Sequence, residues 1–196
     1  MSDSTSHNST RRSHPDDTAS ARPVAHELEL RQIVIGCPRS VRISDTIAKQ
    51  IAELVPKVPP EKVAALAMEA REHRNQPLVS LLLVREMCRH QRHRASVAET
   101  LARVVQQPEE LIQFVALYWS DGRVPLSAQA KKGIAAAFVK FDEQQLASCK
   151  PKGPIKLRDI LFLSHAKPRD EAQAAVWKRL VWRRLRAPTK TSKPLL

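Results

Sequence analysis

From Ser44 onward the apolar residues recur at helical spacing. Ile47, Ile51, Leu54 and Val55 fall at i, i+4, i+7 and i+8, the stripe an amphipathic helix buries, and Ser44 stands at the N-cap position. Val58-Pro59-Pro60-Glu61 reads as a stop followed by a start, with proline in the first turn and a carboxylate near the positive end of the next helix. Val63, Leu66, Ala67 and Ala70 form the next stripe. After Asn75-Gln76-Pro77 the run Leu78 to Cys88 is apolar nearly all round, as an inner helix is. Ser96-Val97-Ala98-Glu99 has capping-box spacing ahead of Leu101, Val104 and Val105. Pro108-Glu109-Glu110 opens a helix through Leu111, Phe114, Val115 and Tyr118, which Asp121-Gly122 ends. Ser127 caps a helix running to about Phe141, and two more are expected over Lys156 to Ser164 and Asp170 to Arg186, separated by Pro168.

This pattern predicts seven or eight helices of about 9–17 residues, an ordinary length range, joined by short Pro- or Gly-marked turns. With only 4 Gly, no alternating run and no Asn-Gly hairpin signal, nothing argues for strands. The chain reads as all-α. Successive helices with short links pack as antiparallel pairs, and a series of pairs stacks into an α-solenoid. Residues 1–23 differ: they are rich in Ser, Thr, Asn and Asp and, Met1 and two prolines apart, carry no apolar side chain larger than alanine. Such a segment cannot offset its ordering entropy by burial, so a disordered N-terminal tail is expected.

Charge changes the picture next. Lys and Arg number 33 against 20 Asp and Glu, a net of +13, which points to a polyanionic partner, nucleic acid or an acidic membrane surface. Residues 1–130 carry 17 basic and 15 acidic side chains, whereas residues 131–196 carry 16 and 5, a net of +11. The last third is therefore the candidate contact region, and the first two thirds read as scaffold. No apolar run approaches the ~18 residues of a membrane span. The polar N-terminus lacks a signal-peptide apolar region. Three cysteines make no disulfide framework, so a cytoplasmic protein is expected.

Lys156-Leu157-Arg158-Asp159-Ile160-Leu161-Phe162-Leu163-Ser164-His165-Ala166-Lys167-Pro168 resembles the signature of the TROVE domain, the RNA-binding module named for telomerase, Ro and vault proteins. Ala130-Lys131-Lys132-Gly133-Ile134, followed by Phe138, Phe141 and Leu146, resembles the helix preceding that signature. The stretch from Val55 through Pro59-Pro60-Glu61 to Ala67 is similar to bacterial versions of the domain. The likeness runs from about Leu30 to about Arg186. It implies a HEAT-like helical-repeat superhelix over residues 24–187, a partial TROVE-like domain and thus part of the ring into which Ro-type superhelices close, followed by a flexible tail at 188–196. Ro-type proteins bind small noncoding RNAs and the single-stranded ends of misfolded RNAs within ribonucleoproteins. The resemblance thus implies RNA and further ribonucleoprotein components, such as an RNA-processing nuclease, as partners. The family's von Willebrand A-like part is missing, and with no Asp-x-Ser-x-Ser run its metal site is not carried over.

The residues that would carry the chemistry cluster around the signature. Lys150, Lys152, Lys156 and Arg158 lie on the approach to a helix and in its first turn, where cations oppose the helix dipole and Asp159 compensates only in part. Lys131, Lys132 and Lys140 lie on the preceding helix. Phosphate contact accounts for the surplus, and a solvated charged face is the bland alternative. His165, followed by Lys167 and Pro168, is either a C-terminal-turn histidine bonding free carbonyls or, as the resemblance implies, part of the RNA surface, where imidazole bonds a phosphate or 2′-hydroxyl or stacks on a base. Both roles can coexist.

In the last helix Trp177, Leu180, Val181 and Leu185 share one side. Arg179, Arg183 and Arg186 lie roughly opposite, as a phosphate-facing ridge, and Trp182 is off both. An unpartnered last helix would expose an apolar face and invite self-association. Tyr118 and Trp119 read first as core and second as base-stacking groups. Cys88, His90 and His93 lack metal-ligand spacing for one helix face. No Gly-rich phosphate loop, nucleophile elbow or nucleophile–base spacing occurs, so binding without turnover and without a cofactor is expected. The alternative is a helical scaffold whose basic last helix docks on an acidic partner or membrane surface.

Overall fold

A computed structural model describes residues 17–37, 43–120, 122, 125–149 and 154–185, of which 17–23 and 183–185 as backbone alone. Every regular element among them is helical. The α-helices are α1 (Asp17–Gly36), α2 (Asp45–Leu54), α3 (Pro60–Glu72), α4 (Pro77–Arg89), α5 (Arg94–Val104), α6 (Pro108–Tyr118), α7 (Ala128–Phe138), α8 (Glu143–Ser148), α9 (Leu157–Ser164) and α10 (Glu171–Leu185), with short 3-10 turns at Val55–Lys57 and Gln91–His93.

Several of the expected boundaries hold for the expected reasons. The Ser44 hydroxyl accepts from the Ile47 N–H at 3.3 Å and the Ser127 hydroxyl from the Ala130 N–H at 3.1 Å. Prolines open α3, α4 and α6 within their first two positions, where the missing N–H costs nothing. Asn75, at φ 49°, takes the left-handed conformation after α3, and the Gln76 N–H reaches back to the Ala70 carbonyl at 2.9 Å.

Four expectations need correction. The helix α1 begins at Asp17, inside the segment 1–23 that composition assigns to a tail; residues 1–16 and the tail 188–196 lie outside the described residues. Ser96 is not an N-cap. The chain enters α5 earlier, through the turn at Gln91–His93, so Ser96 sits within the helix and its carbonyl accepts from the Thr100 hydroxyl at 2.7 Å. The helix from Ser127 ends at Phe138 instead of running to Phe141, because Asp142 starts a new one: its carboxylate caps the Gln145 N–H at 2.7 Å to open α8. With α1 and α8 added, the seven or eight expected helices become ten among the described residues.

The packing has a simple order. One row runs α1 on α3, α3 on α5 and α5 on α7; the other runs α2 on α4, α4 on α6 and α6 on α9. Contacts between α1 and α2, α3 and α4, α4 and α5, and α7 and α9 join the rows, and α8 and α9 both contact α10. Between them lie the fully buried Phe114, Phe138, Leu81, Leu82, Met87, Leu101, Ile134 and Ile160, each worth roughly 2–3 kcal/mol of transfer free energy. As its all-round apolar run predicts, α4 is interior: Val79 through Cys88 are all buried, including Arg85 and Glu86, which pair with each other. Helices α5 and α7 approach closely at Gly133, where a β-carbon would stand 2.9 Å from Leu101 Cβ and 3.1 Å from the Ala98 carbonyl.

A buried polar knot ties three helices together. Arg71 of α3 donates to Glu110 of α6 at 2.7 Å and to the Val104 carbonyl at the end of α5 at 3.1 Å. The other oxygen of Glu110 accepts the N–H groups of Gln106 and Gln107 at 2.7 and 3.1 Å. No helix among the described residues is long and apolar enough to cross a membrane.

Candidate nucleic-acid interface

The signature forms α9 and its flanks. Leu157, Ile160, Leu161 and Ser164 face the core. At roughly 100° per residue, the remaining arc of the helix carries, in angular order, His165, Arg158, Phe162, Asp159, Leu163 and Lys156. Lys156 and His165 are exposed and Arg158 is half-buried, so the two cations and the imidazole expected at a phosphate surface all lie off the core face of one helix, Lys156 at its N-cap and His165 at its C-cap.

The Asp159 carboxylate accepts the Lys156 N–H at 3.3 Å as a helix cap and lies 3.9 Å from Arg158 Nε. One acid thus serves the helix end and one cation, and Lys156 is exposed at the N-cap position. His165 takes the left-handed conformation (φ 52°) and closes α9 with its backbone, its N–H donating to the Leu161 carbonyl at 3.1 Å. The capping expected of this histidine is thus done by its main chain, and the exposed ring does not have to serve it. Buried Ser164 holds the turn by accepting the Ala166 N–H at 3.2 Å.

The other expected residues fall as follows. Lys132 is exposed and Lys131 half-buried on α7, which packs against α9. Lys167 is exposed on the segment after His165. Lys150 and Lys152 lie outside the described residues, as does Arg186, and nothing is described of the Arg183 side chain. Arg179 forms an exposed ion pair with Glu143 of α8 at 3.0 Å, so this member of the expected ridge faces an acid of its own chain. Lys140 lies past the end of α7, not on it. Its ammonium donates to the Ala102 and Val105 carbonyls, the latter at 3.1 Å, capping the negative end of α5. Burial pulls its pKa below the ordinary lysine value, with Glu110 acting the other way.

The last helix is anchored rather than appended. Gln173, fully buried, donates to the Phe141 carbonyl at 2.6 Å, and Trp177 packs edge-on against Phe138 with ring centres 5.8 Å apart. Trp182, off that stripe, is 50% exposed. Tyr118 packs on Phe114 at 6.0 Å, whereas Trp119 is half-buried on the wall of a cavity.

Phe162 is the functional candidate the signature reading missed. It is 39% exposed in the middle of the cationic arc, and the signal was present: its position is off the stripe of Leu157, Ile160, Leu161 and Ser164. A larger cavity lies between α2, α4 and α6, but its Arg85 and Arg89 are both held by Glu86.

Among the described residues no group of three or more His, Cys, Asp and Glu side chains converges as a metal site. Burial pushes the Cys88 thiol up to about 12 and pulls buried His93 down to about 4, the latter helped by Arg92 and His90. No family model, no curated protein and no solved structure matches the chain.

Proposed function

We propose that the chain is an RNA-binding protein of TROVE type, a HEAT-like superhelix that holds small noncoding or misfolded structured RNA and its single-stranded ends within a ribonucleoprotein. The observation that carries the reading is the outward arc of α9, which bears Lys156, Arg158 and His165 off the core face while the Asp159 carboxylate is engaged as a cap. Lys132 and Lys167 add exposed charge on the neighbouring helix and on the segment that follows. The two rows of alternating helices are the packing expected of a stacked helical repeat. Phosphate contacts from such a surface release counterions, and their number is readable from salt dependence.

The test is the affinity for a hairpin RNA with a free 3′ single strand across a sodium chloride series. Three to five phosphate contacts give a logarithmic slope of roughly −2 to −4. A slope near zero, or no binding at low salt, overturns the reading.

A second reading, docking on an anionic surface through α10, is favoured by one observation: exposed Trp182 stands on a helix whose Lys178 and Arg179 are also exposed. Removing α10 would strip Gln173, Val176 and Trp177 from the core, so the discriminating change is Trp182→Ser. Loss of sedimentation with anionic vesicles, at unchanged RNA affinity, would favour this second reading.

A further inference from the structure

Resting on the RNA reading above, we propose that the cavity between the C-terminal end of α6 and the outward arc of α9 is a nucleobase pocket, in which an unpaired base of the bound strand stacks on Trp119 and Phe162. The cavity has a volume of about 500 Å³ and is walled by Trp119, Ile155, Phe162 and Leu163, with Asp159 at one side. That volume is in the range of pockets for small organic ligands, and its walls are mostly apolar with one polar group.

Three observations select the occupant. The chain has only eight aromatic residues of the Phe, Trp and Tyr types, and two of them wall this one cavity while Phe114 and Phe138 fill the core. Phe162 is 39% exposed, so part of its ring surface stands in solvent, where a stacked base would cover it. Finally, the helix that walls the cavity carries two cations: Lys156 is the N-cap of α9 and Arg158 its second residue, while Asp159, the one charged residue on the wall, already caps the helix and lies 3.9 Å from Arg158 Nε. A strand that places a base on the rings therefore runs along a helix whose cations take up its phosphates. An apolar peptide side chain would fill the same walls but would leave that charge unused.

Stacking on aromatic rings is tolerant of sequence, because every base has a π-face. The pocket therefore selects an unpaired base over a paired one, and does not select one base over another. It would give the protein a way to register the single-stranded segment next to a helical stem, with α9 phosphate contacts and pocket occupancy arising from the same strand.

The experiment uses the full chain and a hairpin RNA whose 3′ single strand carries 2-aminopurine at successive positions, with a matched set carrying an abasic nucleotide instead. The expected result is quenching of 2-aminopurine at one position, and a loss of affinity of about 5- to 100-fold when that position is abasic. Phe162→Ala should remove both the quenching and the sensitivity to the abasic site, with helix content unchanged because the ring is already partly in solvent. Trp119→Leu, which keeps most of the wall, should weaken them in the same direction. The RNA substitution needs no change in the protein, so a variant that fails to fold does not obscure the outcome. If the parent binds the hairpin but no position is quenched and every abasic RNA binds equally, the pocket is overturned while the RNA reading stands. If Phe162→Ala leaves RNA binding intact and abolishes binding of a protein component instead, the pocket is a peptide site and the proposal is overturned. If the parent binds no RNA at low salt, the RNA reading itself has failed.

Discussion

Glu110→Ala should be among the most damaging single substitutions in this fold. Its carboxylate has two jobs at once. One oxygen takes the Arg71 guanidinium at 2.7 Å, and the other satisfies the N–H groups of Gln106 and Gln107 at the start of α6. Both side chains of the pair are 8% exposed. Truncation leaves a buried guanidinium with only the Val104 carbonyl and the Asn75 side chain, at 3.1 and 3.0 Å, and leaves two helix-start donors without an acceptor. Breaking a buried pair on one side costs about 3–5 kcal/mol, against a total of roughly 5–15 kcal/mol for a domain. Glu110→Gln retains an acceptor and the shape, and should cost about half as much. Arg31→Ala is the control: it breaks the Arg31–Glu69 pair at 2.9 Å, but Arg31 is 50% exposed, so the loss should stay below about 1 kcal/mol. Urea unfolding followed by far-UV circular dichroism at pH 7 measures all three. If Glu110→Ala costs no more than Arg31→Ala, the knot between α3, α5 and α6 does not hold the fold as argued.

Three further outcomes are expected. Gly133→Ala should lower the melting temperature even though alanine gains about 1 kcal/mol in helix propensity, because its β-carbon meets Leu101 Cβ at 2.9 Å and backbone at 3.1 Å; an unchanged or raised melting temperature refutes the close approach of α5 and α7. Fully buried His93 is held neutral, its pKa pulled from 6.5 to about 4, so its contribution is complete above pH 6.5 and is lost as pH falls toward 4. That loss is about 3 kcal/mol, and a pH series of urea midpoints should flatten over this window in His93→Gln; an unaltered pH profile contradicts the assignment. Lys140→Met should cost about 1–2 kcal/mol by uncapping α5 and should change RNA affinity little, whereas a large loss of affinity at unchanged stability would make it a phosphate contact.

Much of the fold is legible in the sequence because its punctuation is local. Ser44, Ser127 and the prolines before α3, α4 and α6 act on backbone groups a few residues away, and reading them requires no tertiary knowledge. Ser96 misleads for the same reason: its local pattern is right, but the turn at Gln91–His93, with His93 fully buried, starts the helix sooner. The tail boundary fails in the same way, since composition registers apolar content but not where α1 begins.

The candidate site is legible in its cations and less so in its partners. That Lys156, Arg158 and His165 belong to one helix and its caps follows from spacing, whereas their joint role at an RNA surface is what the TROVE resemblance implies. That Lys140 reaches the end of α5, that Arg179 meets Glu143 and that Trp119 shares a cavity with Phe162 depend on how α5, α6, α8, α9 and α10 pack, a long-range matter that no window of sequence contains.

The central claim concerns the outward arc of α9, and His165 permits an unusually clean test of it. Glycine adopts the left-handed conformation at φ 52° without the penalty a side chain incurs, so His165→Gly removes the ring while leaving the fold as stable as before or slightly more so. Combined with Lys156→Glu at an exposed position and Arg158→Glu at a half-buried one, it strips the arc of its two cations and its imidazole. The most direct measurement is the dissociation constant of the triple variant for the tailed hairpin at low salt, beside its melting temperature. The account predicts at least a tenfold weakening and a shallower salt slope at an unchanged melting temperature. Parent-like affinity in a folded triple variant would contradict it.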